Sequence, residues 1–241
     1  MQGRTTMVVA TLAITTTTSF AATLHVPADH ATIQGAIDAA FFFGDTIQVA
    51  AGTYYEFEVD LKGKSLQLIG ETHPDGSPAV KIDAQQQGMV MYCISNEQFT
   101  TGIKNIILTG GSDFAGGLWT SEAQPLFTNC WFLENSGDYG GGAYINGSSP
   151  TFQDCRFLDN EGCGVYVDSN ASPSFTDCTI SRNAPEDDGG GIYAIESSVT
   201  CTQCTLADNT CGVRGGGMYL EDSSITMTMC TLNGNTSGYE G

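Results

Sequence analysis

Positive charge is scarce in this chain. Only 8 of 241 side chains are Lys or Arg, against 27 Asp and Glu, for a formal net charge of −19. A surface of that sign repels phosphate backbones and anionic lipid, which argues against nucleic-acid and peripheral-membrane roles. It also repels polyuronates unless a bound divalent cation inverts the local field. Charge of either sign is thin, at 15% of residues, which is too little for the surface of a helical bundle. No apolar run is long enough to span a bilayer, so no transmembrane segment is expected. Histidine stops at His73.

Glycine and cysteine are plentiful, with 30 and 9 residues, and hydrophobic content is 41%. That length and composition fit one turn-rich β domain with a sizeable core. Residues 1–21 read as a secretory signal. Arg4 supplies the positive charge, Met7 to Ile14 a short apolar stretch, and Ser19-Phe20-Ala21 a cleavage site before Ala22. A secreted or cell-surface location is therefore expected.

The second half repeats one pattern five times: PLFTNCWFLEN, PTFQDCRFLDN, PSFTDCTISRN, VTCTQCTLADN and ITMTMCTLNGN. Cys130, Cys155, Cys178, Cys204 and Cys230 recur at intervals of 25, 23, 26 and 26 residues, and Asn135, Asn160, Asn183, Asn209 and Asn235 keep the same intervals. Between each asparagine and the next unit come glycines and an aromatic residue, at Trp119, Tyr144, Tyr166, Tyr193 and Tyr219. Short alternating runs separated by Asn, Gly, Ser and Pro predict short strands and tight turns. A unit of this size cannot bury its own apolar side, but parallel stacking lets each strand pair with its counterpart in the next coil. The expected fold is an all-β, parallel β-helix, a single-stranded solenoid with about 22–27 residues per coil.

Stacking assigns a role to each position. Phe127, Phe152, Phe175, Cys201 and Met227 form one inward column, the five spaced cysteines a second, and Phe132, Phe157, Ile180, Leu206 and Leu232 a third. Buried cysteine behaves as a small hydrophobe, so a stack of free thiols is expected, with disulfides between coils as the alternative. The asparagines are placed at a turn, where they tolerate left-handed backbone and their amides bond the coils above and below.

Residues 22–44 read as an N-terminal cap and 45–241 as the β-helix, with its last coil incomplete. Within the cap, Ile33, Ala36, Ile37, Ala40 and Phe41 fall on one helical face, and Gly44 is placed to stop the helix. Asp45 to Val49 and Ser65 to Ile69 read as the first strands. The open last coil suggests end-to-end association through its edge.

The run TIQGAIDAAFFFGDTIQVAAGTYYE, followed by LKGKSLQLIGE, resembles the opening of right-handed parallel β-helix proteins of the pectate-lyase-like superfamily, which include pectin methylesterases. The repeats WFLEN and RFLDN, paired with GGAY and GGIY, resemble the F-x-x-N and G-G-A-I motifs of chlamydial polymorphic outer-membrane proteins, which are surface adhesins. The resemblance implies a right-handed coil. The superfamily's enzymes carry catalytic stretches with no counterpart here: the two aspartate-bearing stretches of pectin methylesterases, and the N-T-D, G-H-G and R-I-K of polygalacturonases.

The remaining candidates for chemistry are few. Cys201-x-x-Cys204 falls on inward columns and lacks the further ligands that zinc needs. Asp154 and Asp177 precede the cysteine in consecutive coils, which stacks them on an outer face beside Arg156. Paired carboxylates near an arginine suit a glycoside hydrolase or a calcium-assisted lyase, and an acidic surface is the plain alternative. Asp187 and Asp188 are the candidates for calcium, the one cofactor left open.

Three functions follow: binding or display at the cell surface with a glycan or partner surface as ligand; a polysaccharide-active enzyme; or a structural segment of a larger exoprotein. The first is preferred, because no catalytic set is recognisable.

Overall fold

The computed structural model of the protein describes residues 21–41 and 43–239. The leader reading of residues 1–21 therefore lies, apart from Ala21, outside the described residues.

The repeat resolves into three strands per coil. In one coil these are Leu126–Thr128, Trp131–Leu133 and Ser136–Asn146, and each pairs in parallel with its counterparts in the adjacent coils. Among the described residues the strands build three long sheets of nine, eight and seven members and a two-stranded one, Thr210–Cys211 with Thr236–Ser237.

The expected columns are in register. Phe127, Phe152, Phe175, Cys201 and Met227 are successive partners in the nine-stranded sheet, and Phe132, Phe157, Ile180, Leu206 and Leu232 in the eight-stranded one. Parallel pairing repeats every ring at the strand spacing, so Phe152 and Phe175 stack with centroids 5.0 Å apart and planes 7° apart, and Phe132 and Phe157 at 4.5 Å and 4°. Full burial of such a ring stabilises the fold by about 2–3 kcal/mol. The columns are sealed up to the fourth repeat and open at the fifth, where Leu232 is 51% exposed.

All nine cysteines are free. Each ladder thiol donates to backbone carbonyls, as Cys155 Sγ does to Gln153 O at 3.3 Å and Phe127 O at 3.6 Å. The asparagine amides form a buried chain along the axis. Asn160 Nδ2 donates to Asn183 Oδ1 at 2.8 Å and to Phe132 O at 3.1 Å, while Asn160 Oδ1 accepts from the backbone and side-chain nitrogens of Asn135. Asn183, Asn209 and Asn235 continue the pattern.

The left-handed backbone is not on the asparagines, as the sequence suggested, but one residue earlier. Glu134, Asp159, Arg182 and Asp208 have φ between 54° and 56°. That preceding residue turns the chain, which points the asparagine side chain inward to join the ladder. The glycines that follow are needed for space. A Cβ on Gly164 would stand 2.7 Å from Asn183 Nδ2 and 2.8 Å from Gly191 O.

The helix spans Ile33–Ala39, with Thr32 as N-cap accepting from Gly35 N. Ile33, Ala36 and Ile37 are fully buried and Ala40 nearly so. Two expectations fail here. Ala40 is already extended and ends the helix, so Gly44 has no stopping role, and Phe41, beyond the helical face, is 62% exposed. A strand at Thr23–Val26 precedes the helix and pairs with Phe43–Val49, so the cap segment also contributes the first strand of the nine-stranded sheet.

Candidate functional site

Asp154 and Asp177 occupy equivalent turns in consecutive coils, as expected. Both have left-handed backbone, with φ of 53° and 54°, in the same position as Asn129 and Gln203. Their carboxylates are exposed and accept no hydrogen bond among the described residues. Arg156 is not paired with them. Its guanidinium lies over the Trp131 ring, 4.7 Å from the centroid, a cation–π contact to the residue one coil before it. The structure thus supplies a backbone reason for aspartate at 154 and 177: Asn and Asp enter the left-handed region more readily than most residues.

Asp187 and Asp188 part company. Asp187 is exposed. Asp188 is 8% exposed and held by Arg214, which gives it a backbone N–H at 2.8 Å, Nε at 3.3 Å and Nη2 at 2.7 Å. An arginine in that position occupies the carboxylate that calcium would need. The Arg214 guanidinium also sits 4.4 Å from the centroid of the Tyr219 ring.

A different feature gathers the most chemistry. On the seven-stranded sheet, Tyr92, Trp119, Tyr144, Tyr166, Tyr193 and Tyr219 are successive partners. Their side chains alternate with buried ones such as Val165 and Val167, so the column faces away from the main core. The segments between the second strand of a coil and its aromatic residue fold over it. Phe114 lies 5.1 Å from Tyr144, and Tyr139 5.4 Å from Tyr144 and 5.2 Å from Tyr166, centroid to centroid. The result is a second, smaller apolar cluster outside the coil.

Beside this cluster opens a groove of about 920 Å³. Tyr139, Tyr166 and Tyr193 form its aromatic wall, and Asp138, Glu161, Glu186 and Asp187 its acidic margin. The tyrosine hydroxyls differ in their partners. Tyr144 donates to Asp168 Oδ2 at 2.9 Å and Tyr193 to Glu221 Oε2 at 3.5 Å. Tyr166 is 8% exposed as a residue, and its hydroxyl, which bonds no group among the described residues, reaches solvent. Burial, followed by nearby acidic groups, pushes Tyr193 up to about 12, and burial likewise raises Tyr166. These phenols stay protonated at neutral pH and are donors as well as acceptors.

The sequence marked the aromatic column but missed the groove, whose walls come from segments of unequal length. The Asp188–Arg214 pair was findable, since its partners are 26 residues apart, one coil interval.

A parallel solenoid with an internal asparagine ladder and an outer aromatic groove defines the class of protein. Residues 79–240 match the model of the right handed beta helix region family, and the chain belongs to that family. No curated protein matches it. Among solved structures, it is similar to a pectin methylesterase in complex with hexasaccharide VII, with 13% identity, TM-score 0.47 and coverage of 78% of this chain and 71% of that one. It is also similar to the pectin methylesterase from carrot, with 14% identity, TM-score 0.45 and coverage of 92% and 85%. No residue role is carried over at that distance. Among the described residues, no helix is long and apolar enough to cross a membrane.

Proposed function

We propose that the protein is an exported β-helix that binds at the cell surface, adhesin-like in role, with a glycan chain or a partner surface seated in the groove beside Tyr166. The observation that carries this reading is the groove itself: an open cleft walled by tyrosines, one of which, Tyr166, presents a hydroxyl that bonds no group among the described residues. Concave sites with an apolar wall and a few convergent polar groups are where ligands bind.

The enzymatic reading has less support. Asp154 and Asp177 serve as left-handed turn residues, and Arg156 is engaged with Trp131. A screen of the purified protein against neutral and acidic polysaccharides, with and without calcium, separates the two readings. Binding without turnover is expected. Turnover that disappears in Asp154→Ala and Asp177→Ala overturns it.

Export is tested by expressing the whole chain in a secreting host and weighing the product, which should begin at Ala22. End-to-end association is supported by the open fifth coil, where Leu232, on an inward column, is 51% exposed. Its measure is molar mass against concentration, which should rise, and should not in Leu232→Lys.

A further inference from the structure

The groove's charge is one-sided. Asp138, Glu161, Glu186 and Asp187 are all exposed along its margin. The described residues hold three ion pairs, Lys62–Asp38, Arg182–Asp159 and Arg214–Asp188. None involves these four carboxylates, and Arg214 is already committed to Asp188, which also lines the groove. Such a margin repels a polyanion and is left uncompensated by a neutral ligand.

A point cation is a poor answer to it. Calcium needs six to eight oxygens converging at short range, and among the described residues no group of three or more His, Cys, Asp or Glu side chains is placed to hold a metal. The negative charge is spread along the groove, so the complementary ligand carries its positive charge spread along a chain.

The wall adds a second requirement. The ring centroids of Tyr139 and Tyr166 are 5.2 Å apart and those of Tyr166 and Tyr193 4.8 Å, close to one strand spacing per ring. A ligand that follows this wall has a short, regular repeat. Tyrosine faces attract ammonium groups as well as apolar surfaces. The Tyr166 hydroxyl bonds no group among the described residues and is open to solvent, so it is available to accept from an amine or a sugar hydroxyl.

We propose that the groove binds a glycan chain bearing free, protonated amines: an amino-sugar polymer whose nitrogens are not acetylated. This rests on the glycan-binding reading above and sharpens it to a charge class. The amines meet the carboxylates at the margin, and the sugar rings lie along the tyrosine wall.

The test is calorimetric titration of the whole protein with four probes: a glucosamine hexamer, its fully N-acetylated form, a glucose hexamer and a linear polyamine. Binding of the glucosamine hexamer at least tenfold tighter than the other three is expected. Equal binding of the acetylated or glucose hexamer overturns the amine requirement and leaves the glycan reading standing. Equal binding of the polyamine overturns the sugar requirement. Binding of none overturns both.

Two variants place the site. Glu161→Gln, Glu186→Gln and Asp187→Asn combined should weaken the glucosamine hexamer about tenfold, since each exposed pair contributes modestly. Tyr166→Phe should weaken it several-fold. Unchanged affinity in the triple variant overturns the assignment. If Tyr166→Phe melts early, a salt titration of the unaltered protein replaces it. Affinity should fall as salt rises, because exposed charges are screened beyond about 10 Å at 0.1 M, and a flat response overturns the proposal.

Discussion

Glu56 and Lys64 close the two ends of the one helix among the described residues, each with the charge the helix dipole favours. Glu56 accepts from Ile33 N at 2.7 Å and Gln34 N at 2.9 Å, while Lys64 Nζ donates to the carbonyls of Ile37, Asp38 and Ala40 at 2.6, 3.0 and 2.7 Å. A helix of seven residues is too short to persist alone. Side chains from the first coils hold both its ends, while Ile33, Ala36 and Ile37 cover the core. Glu56→Gln is expected to cost about 0.5–1 kcal/mol and Lys64→Met about 1–2 kcal/mol, read as a lower denaturant midpoint.

The asparagine ladder should be far less tolerant. Asn160→Ala removes the acceptor of Asn135 N and the donor to Phe132 O inside the coil. A loss of about 3 kcal/mol or more is expected, since buried polar groups left unpaired cost about 1–3 kcal/mol each. The same change at Asn235, half-buried and bonded to a single neighbouring ladder amide, should cost less. Chemical denaturation of both variants checks the ranking, and equal losses would contradict it.

At Asp154 and Asp177 the backbone makes its own prediction. Asn should be neutral for stability at either position, while Ala should cost about 1 kcal/mol because it enters left-handed backbone less readily. Thermal melting of the two substitutions at Asp177 distinguishes this turn role from a purely electrostatic one, which would make Asn and Ala equivalent.

Free thiols predict both a count and a pH dependence. Unfolded protein should titrate nine thiols with or without reductant. Burial pushes the Cys163 thiol from 9.0 up to about 12. Below pH 9 both states keep the proton, so this group adds no slope. Between pH 9 and 12 the unfolded chain releases the proton and the folded chain retains it, so stability should fall by up to about 1.4 kcal/mol per pH unit from this residue. Burial raises Tyr92 and Tyr193 in the same direction, each to about 12. Denaturation curves across that range check the slope, and Cys163→Ala should make it shallower.

Positions that recur with one chemistry were readable from the chain. The phenylalanine, cysteine and asparagine columns stack because parallel pairing repeats a residue type every 23–26 positions, and the structure places them in register. The left-handed residue before each asparagine was not readable, since Glu134, Asp159, Arg182 and Asp208 share no side-chain type. Phe41 misled because helical spacing continues past the point where Ala40 becomes extended. The groove stayed hidden for a similar reason. Its walls come from SGDY, EGC and APEDD, stretches whose unequal lengths carry no period.

The asparagine ladder also bears on how such a chain can change over generations. Each amide bonds the adjacent coils in the same way, so a stretch from one cysteine to just before the next, such as Cys155 to Asp177, is one complete repeat. Gene duplication or loss of one repeat shifts every downstream column onto an equivalent partner and keeps the ladder continuous. The same event adds or removes one tyrosine, Tyr166 in this repeat, from the outer column. The length of the outer surface is thus a heritable variable, adjustable in whole steps without redesign of the core.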